Sequence, residues 1–267
     1  MNVKERFLNY VVIDSGSSET TGTHPSTEKQ WDMARLLEKE LKEMGAENVR
    51  VSPTCYVYAE IPANVPDQPA IGLIAHMDTS DAVPGGPIHH RTLHYEGGDI
   101  VLNAEKNIVM RAADFPALAR EIGNDLIVTD GTTLLGADDK AGVAEILTLA
   151  ERFLKHPEIR HGKLCIAFTP DEEIGRGAKR FRIPELGADF GYTVDGGTLG
   201  EIEFENFNAA AAHVEFQGRS IHPGSAKDKM LNAATLAMEF HAMLPVRETP
   251  ENTENREGFF MLSDIHG

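Results

Sequence analysis

The chain has 267 residues, with 42 acidic side chains against 25 basic ones and a formal net charge of −17. That charge repels a phosphate backbone, so we expect no nucleic-acid partner. No apolar run is long enough to cross a membrane and the first residues carry no signal segment, so we expect no membrane partner and a cytoplasmic protein. The two cysteines, Cys55 and Cys165, lie in apolar runs, which fits a reducing compartment.

The first 200 residues alternate between helical and extended patterns. A helix is predicted from Thr27 to Met44, with Thr27 and Gln30 as a capping box. Gly45 ends it, and a second helix is predicted over residues 141–154. This alternation is typical of an α/β domain with a central mixed sheet between helices. The predicted strands cover residues 48–51, 56–61, 70–75, 164–168 and 192–194, and a long loop over one end of the sheet is predicted for residues 84–107.

The sequence pattern changes near residue 208. Beyond it we predict a strand over residues 209–216, a helix over 226–244 and another strand over 259–262. We therefore place one α/β domain over residues 1–207 and the start of an α+β unit over residues 208–267. Because the chain ends inside an apparent hairpin, we expect this second unit to be incomplete.

A histidine and an aspartate follow the apolar strand predicted to end at Ala75. The carboxyl ends of strands are where open α/β sheets bind ligands, so His76 and Asp78 are placed to act together. His-x-Asp also occurs often by chance, so this pair alone is weak evidence for a metal site.

Three further acidic groups occupy similar positions. Asp138 and Asp139 lie where an extended segment meets a helix, and a helix N-cap accounts for one of them. Residues 171–173, Asp-Glu-Glu, follow a predicted strand and fit a solvated acidic turn as well as a cation site, in which an ion would relieve the repulsion. Asp195 follows the last predicted strand.

Four such clusters at strand ends indicate a metal site more strongly than any one of them. Imidazole with carboxylates and no thiolate is a ligand set suited to catalytic Zn²⁺, Mn²⁺ or Co²⁺. A carboxylate shared by two ions about 3.5–4 Å apart is a common way to build a hydrolytic pair.

The motifs resemble those of the M20 metallopeptidases in type and order. Residues 204–210 and 222–233 add a specific likeness to the tripeptide aminopeptidases of that family. The resemblance implies a zinc-peptidase catalytic domain followed by a lid that forms homodimers. It also implies release of the N-terminal residue from short peptides, such as tripeptides, by water activated by two zinc ions per complete subunit. The family-like segments are Ala75–Ser80, Leu134–Gly142, Thr169–Gly175, Val194–Gly197 and Ile221–Gly224.

The resemblance also implies which residues hold the metal. His76 and Asp195 would hold one zinc ion, and Glu173 would help to hold the other. Asp138 would bridge both ions. Asp139 is then expected to cap the helix beside the bridging residue.

Three residues would take other roles by the same resemblance. Glu172 would be the general base, Asp78 would hydrogen-bond the His76 ring, and His222 of the lid would stabilise the oxyanion. In the family, a segment that returns after the lid supplies a last histidine ligand, and we do not assign His266 to that role. We therefore expect the second zinc site to be one ligand short and the chain to be part of a longer protein. The alternatives are another M20-type amide hydrolase, such as a dipeptidase, deacylase or carboxypeptidase, and an inactive metal-binding fragment.

Overall fold

The computed structural model of the chain describes residues 1–266, which divide into two compact units. The first unit spans Met1–Glu201 and the second begins at Ile202. The boundary between the catalytic domain and the lid, predicted after residue 207, remains a prediction. Within residues 1–266, none of the helices has the length and apolar content that crossing a bilayer requires.

The first unit is built on a five-stranded sheet of β1 (Glu47–Val51), β2 (Val57–Ile61), β3 (Ile71–His76), β8 (Leu164–Thr169) and β9 (Phe190–Thr193). Their order across the sheet is β1-β2-β8-β3-β9. The strands β3, β8 and β9 are parallel to one another, and β2 runs antiparallel to both β8 and β1. The predicted α/β class with a mixed sheet is confirmed.

Alternating residues of the strands divide the apolar side chains between the two faces of the sheet. On one face, Leu37, Leu147 and Phe168 belong to a large buried cluster that joins three helices to the strands. On the other face, Tyr56 and Tyr58 belong to a smaller cluster. Full burial of such side chains contributes roughly 1.5–3 kcal/mol each, so the larger face provides most of the stability. The helices of this unit are α1 (Val3–Val11), α2 (Lys29–Met44), α3 (Ala137–Lys155) and the short α4 (Ile183–Leu186).

Two sequence expectations for this unit are wrong. The capping box at the start of α2 does not form, because the Thr27 hydroxyl donates to the Gly16 carbonyl at 2.6 Å and α2 has no side-chain cap. The predicted loop over residues 84–107 instead contains strands, because its short apolar stretches find partners within residues 90–129. These strands form two small antiparallel sheets, β4 (His90–His94) with β7 (Asp125–Thr129) and β5 (Ile100–Asn103) with β6 (Ile108–Met110).

The second unit contains one α-helix among its described residues, α5 (Ala233–Met243). It is shorter than predicted because Asn232 caps the helix at that point. The Asn232 side chain accepts hydrogen bonds from the backbone amides of Ala234 and Thr235. The strands predicted over residues 209–216 and 259–262 are not formed. Their backbone makes no ladder with any described residue.

Candidate metal centre

The parallel strands bring three of the predicted clusters to one edge of the sheet. β3 ends at His76, which pairs in register with Thr169 at the end of β8. The acidic residues 171–173 follow β8 directly, and Asp195 follows β9, which pairs with the other side of β3. Parallel register therefore places these side chains together although the chain separates them by about a hundred positions.

The fourth cluster reaches this edge from the first turn of α3. Asp138 and Asp139 have non-helical backbone angles, so the regular helix begins after them. Gly142 allows the helix to approach the end of β9, because a Cβ atom there would lie 2.0 Å from the Val194 carbonyl oxygen. Only glycine fits at that contact.

His76 is the centre of the group. Its side chain is 2% exposed, and its Nε2 lies 2.8 Å from Asp138 Oδ1 and 3.9 Å from Asp195 Oδ2. Glu172 Oε2 is 3.8 Å from the same nitrogen. On the other side of the ring, Nδ1 lies 3.0 Å from the Asp78 carbonyl oxygen. A proton on Nδ1 would be donated to that carbonyl, which leaves the Nε2 lone pair facing the acidic residues.

The Asp78 carboxylate makes its closest contacts with the acidic loop. It is fully buried and accepts hydrogen bonds from the backbone amides of Glu172, at 2.9 Å, and Glu173, at 3.1 Å. Its Oδ1 also lies 3.4 Å from Nδ1 of His76. Asp78 thus holds the loop through two amides, and the predicted contact with the ring is the longer one.

Asp139 is buried and contacts backbone amides. It accepts hydrogen bonds from Gly142, three residues along the helix, and from His76, each at 3.1 Å. The first of these is the contact of a helix cap, and the second joins the helix start to the end of β3. Its carboxylate also lies close enough to His76 and Asp195 to form a ligand set with them.

The carboxylates around His76 are electrostatically crowded. Burial raises the pKa of Glu172, Glu173 and Asp195, and neighbouring acids add to that rise while the His76 charge opposes it. For Asp139 the same effects, led by burial, raise the pKa to about 8. Burial lowers the pKa of His76, but Asp78, Asp139 and Asp138 outweigh this and raise it to about 10. A bound cation would relieve this repulsion.

The donor groups fit a divalent metal. His76, Asp138 and Glu173 each offer one atom, and these atoms all lie within 4.8 Å of one another. Ligand atoms of one tetrahedral zinc ion lie roughly 3.3 Å apart, given bonds of about 2.0–2.1 Å. The distances of 2.8 and 3.9 Å from Nε2 to Asp138 and Asp195 lie on either side of that value.

The predicted site residues of the first unit are therefore brought together. His222 belongs to the second unit. It is exposed, and its Nδ1 accepts a hydrogen bond from the Gly224 amide at 3.1 Å, the contact of a turn residue. His266 is also exposed in that unit, and its Nε2 lies 2.7 Å from Asp264. The residues that converge on the strand ends are His76, Asp78, Asp138, Glu172, Glu173 and Asp195.

Sequence reasoning missed the part that Asp171 and Gln30 play. The sequence predicts that Asp171 shares a solvated turn or a cation site with its neighbours, but its side chain is fully buried. Gln30, assigned to a capping box, donates instead to Asp171 at 2.7 Å. No local sequence pattern indicates this burial, because Gln30 lies 141 positions from Asp171 in the chain.

The chain has relatives among known proteins, over its whole length in sequence and over most of it in fold. Residues 204–265 match the model of the M20 peptidase dimerisation domain. The whole chain is 56% identical to peptidase T of Desulfitobacterium hafniense strain Y51, and 99% of it aligns at 53% identity with peptidase T of Clostridium novyi strain NT. It spans 65% and 66% of the length of these relatives, respectively.

Solved structures share the fold. Aminopeptidase PepT from Bacillus cereus ATCC 10987 superposes with a TM-score of 0.62 at 26% identity, over 91% of this chain and 56% of that one. A tripeptidase from Staphylococcus aureus subsp. aureus Mu50 gives a TM-score of 0.60 at 22% identity, over 95% of this chain and 58% of the other, and adds evidence for the fold alone. The sequence relatives, the matched dimerisation domain and the common fold show that the chain belongs to the M20 peptidase family, in the group that contains peptidase T.

Proposed function

We propose that the complete protein is a zinc aminopeptidase that releases the N-terminal residue of short peptides, with tripeptides as its substrates. The observation that carries the proposal is the convergence of the His76 Nε2 atom and four carboxylates at the carboxyl ends of three parallel strands. The names of the relatives, peptidase T and PepT, support the substrate class.

The family and the donor groups indicate a divalent metal, and we propose zinc. Imidazole and carboxylate ligands without thiolate suit a catalytic zinc centre. His76 and Asp195 would hold one ion, Glu173 would help to hold a second, and Asp138 would bridge the two. When bound, the ions would supply a water of lowered pKa and polarise the peptide carbonyl.

Glu172 is proposed to move the proton. Its side chain is half exposed, so it can reach a substrate, and its backbone amide is fixed by Asp78. Burial, reinforced by acidic neighbours and opposed by the His76 charge, raises the pKa of its carboxyl group, which makes the carboxylate a stronger base than that of a free glutamate. The carboxylate would accept a proton from the attacking water and pass it to the departing amine.

Glu173 differs from Glu172 in where its carboxylate lies. Its carboxylate lies within 4.8 Å of the donor atoms of both His76 and Asp138 and completes a three-ligand group with them. Glu172 approaches the His76 nitrogen at 3.8 Å but completes no such group among the described residues. This supports the assignment of Glu173 as the ligand and Glu172 as the base. Consecutive residues can take these two roles because their backbone amides are both anchored on one carboxylate, that of Asp78.

A substrate panel tests the aminopeptidase assignment. The complete gene product, loaded with zinc, is given tripeptides with a free amine, the same tripeptides acetylated at the N-terminus, dipeptides and N-acyl amino acids. We expect rapid cleavage of the free tripeptides alone. Equal rates on acetylated tripeptides would contradict an aminopeptidase, and faster turnover of N-acyl amino acids would indicate a deacylase.

The remaining proposals concern the partner and the compartment. The dimerisation-domain match over residues 204–265 supports a homodimer formed through the second unit, in which we propose that His222 stabilises the oxyanion. Cys55 and Cys165 are both buried free thiols, which supports a cytoplasmic location. Sedimentation of the complete gene product at two concentrations tests the dimer.

A further inference from the structure

Asp171 lies directly before Glu172 and Glu173 but points away from them. Its side chain is fully buried, and its backbone has a φ of 58°. That left-handed conformation is tolerated by aspartate and turns the chain sharply between β8 and the two glutamates. The carboxylate is thereby directed inward, while the next two carboxylates face the metal centre.

The buried carboxylate is bound by the segment that precedes and begins α2. Ser26 donates its backbone amide to both carboxylate oxygens, each at 2.9 Å, and its hydroxyl to Oδ1 at 2.6 Å. Gln30 donates from Nε2 to Oδ1 at 2.7 Å and accepts the Asp171 backbone amide at 3.1 Å. His24 Nδ1 lies 3.0 Å from Oδ2. The surrounding groups present donors to both oxygens.

These contacts complete a fixed frame for the acidic loop. Asp78 holds the amides of Glu172 and Glu173 from the side of β3. On the far side, the loop closes on itself through the amide of Arg176, which donates to the Asp171 carbonyl at 2.8 Å. Without the buried carboxylate, the loop would keep its Asp78 contacts, this turn and the single hydrogen bond from the Asp171 amide to Gln30, and residue 171 would lose the four side-chain hydrogen bonds that fix its direction.

We propose that Asp171 is a positioning residue, which together with Ser26 and Gln30 sets the direction in which the Glu172 and Glu173 side chains point. Its effect on turnover rests on the proposed function, but its effect on the loop does not. Misplacing a catalytic group by about 1 Å costs up to roughly a hundredfold in rate. A carboxylate that touches neither metal nor substrate would in this way control a rate constant.

The donor-only environment allows a test by reversal. In Asp171→Asn, an NH₂ replaces one of the two acceptor oxygens. It then meets either the donors of Gln30 and Ser26 at the Oδ1 position or the Ser26 amide and His24 Nδ1 at the Oδ2 position, so the donors are no longer all matched by acceptors. In Gln30→Glu, two carboxylates meet. In the double variant the amide of position 171 can donate to the carboxylate of position 30, which restores the pair with donor and acceptor exchanged. The amide oxygen would still accept from the Ser26 amide.

Two readouts are measured on the zinc-loaded complete gene product. Hydrogen exchange of the peptide covering residues 168–177 reports the order of the loop, and kcat and KM on a tripeptide report turnover. We expect Asp171→Asn to speed exchange in that peptide at least about tenfold and to lower kcat by about ten- to a hundredfold, with KM within about twofold. In the double variant, the changes in the logarithm of the exchange rate and in the logarithm of kcat should each be no more than half of those in Asp171→Asn. Ser26→Ala removes the hydroxyl contact to Asp171. It should also speed exchange and lower kcat, but by smaller factors than Asp171→Asn.

Thr21→Val is the matched control. It removes a hydrogen bond of 2.7 Å within the same segment, from the Thr21 hydroxyl to the Ser26 carbonyl, without touching Asp171. It should lower the melting temperature but leave loop exchange and kcat per folded molecule near wild type. The proposal is overturned if Asp171→Asn and Ser26→Ala behave like this control, or if the double variant is no better than Asp171→Asn. A wild-type protein without peptidase activity would refute the proposed function, and the exchange cycle would still decide the role of Asp171.

Discussion

Glu172 and Glu173 are neighbours in sequence, yet their different surroundings support different proposed roles. Both amides are fixed on Asp78, but the Glu173 carboxylate joins the group around His76 and Asp138. The sequence indicated that this triplet lies at a strand end and that a cation would relieve its charge. It did not indicate that Asp171 is buried, because its partner Gln30 lies 141 positions away and no local pattern records that contact.

Replacing Glu172 with Gln should separate the two roles. We expect zinc content to stay near wild type, while kcat falls by about two to four orders of magnitude, the range for loss of a general base. Glu173→Gln is the matched control and should lose zinc first. Metal analysis of the dialysed proteins, together with a tripeptide assay, checks this. If the Glu172 variant lost zinc and the Glu173 variant kept it, Glu172 would be the zinc ligand and Glu173 the base.

Asp138→Asn tests the shared ligand. A residue that serves both ions should, when altered, weaken both, so we expect zinc content and activity to fall together. The control is Asp81→Asn, which changes an exposed acid shortly after His76 in the sequence. It should leave zinc content unchanged. Loss of only one zinc ion in the Asp138 variant would argue against a bridging role.

At the scale of the elements, the site depends on where strands end and where α3 begins. The buried strands and the helix after residue 140 could be predicted, because their apolar periodicity follows directly from packing on a sheet. The small sheets formed by residues 90–129 could not, since short strands are recognised by their partners rather than by their own pattern. The capping box at Thr27 failed for a related reason, because a distant carbonyl competes for its hydroxyl.

Gly142→Ala tests the close approach of α3 to β9. A Cβ atom would meet the Val194 carbonyl at 2.0 Å and Asp139 Oδ1 at 2.4 Å, so the helix start must move. We expect a loss of about 1–3 kcal/mol in the free energy of unfolding and weaker zinc binding, measured by urea denaturation and metal titration. Gly22→Ala has no atom within 4 Å of the new Cβ and should be near neutral. Equal effects of the two substitutions would contradict the packing argument.

Over the whole first unit, a charged network joins the three helices on the larger face of the sheet. Arg6 of α1 is almost fully buried and contacts Glu40 of α2 at 3.3 Å and Glu151 of α3 at 3.1 Å. Hydrogen bonds from Lys155 and then Arg6 lower the pKa of Glu151 to about 2, against the opposite effect of burial. The part of the network that Glu151 forms therefore contributes its full stability only while Glu151 is ionised.

The pH dependence of Glu151→Gln follows from that shift. A carboxyl whose pKa is lower in the folded than in the unfolded protein stabilises the fold above its ordinary pKa of about 4.3, and this stability is lost as the pH falls toward 2. We expect the variant to be about 1–2 kcal/mol less stable at pH 7, with the difference shrinking between pH 4.5 and 2. Glu145→Gln, exposed on the same helix, is the control. A difference independent of pH would indicate a packing defect instead.

The central claim is that the ends of three parallel strands and the start of α3 form one di-zinc centre. Anomalous diffraction at the zinc edge, on crystals of the zinc-loaded complete gene product, tests it most directly. We predict two peaks, one bound by His76, Asp138 and Asp195 and the other by Asp138 and Glu173. Zinc bound elsewhere in the protein, with no peak within bonding distance of His76 Nε2, would contradict the account.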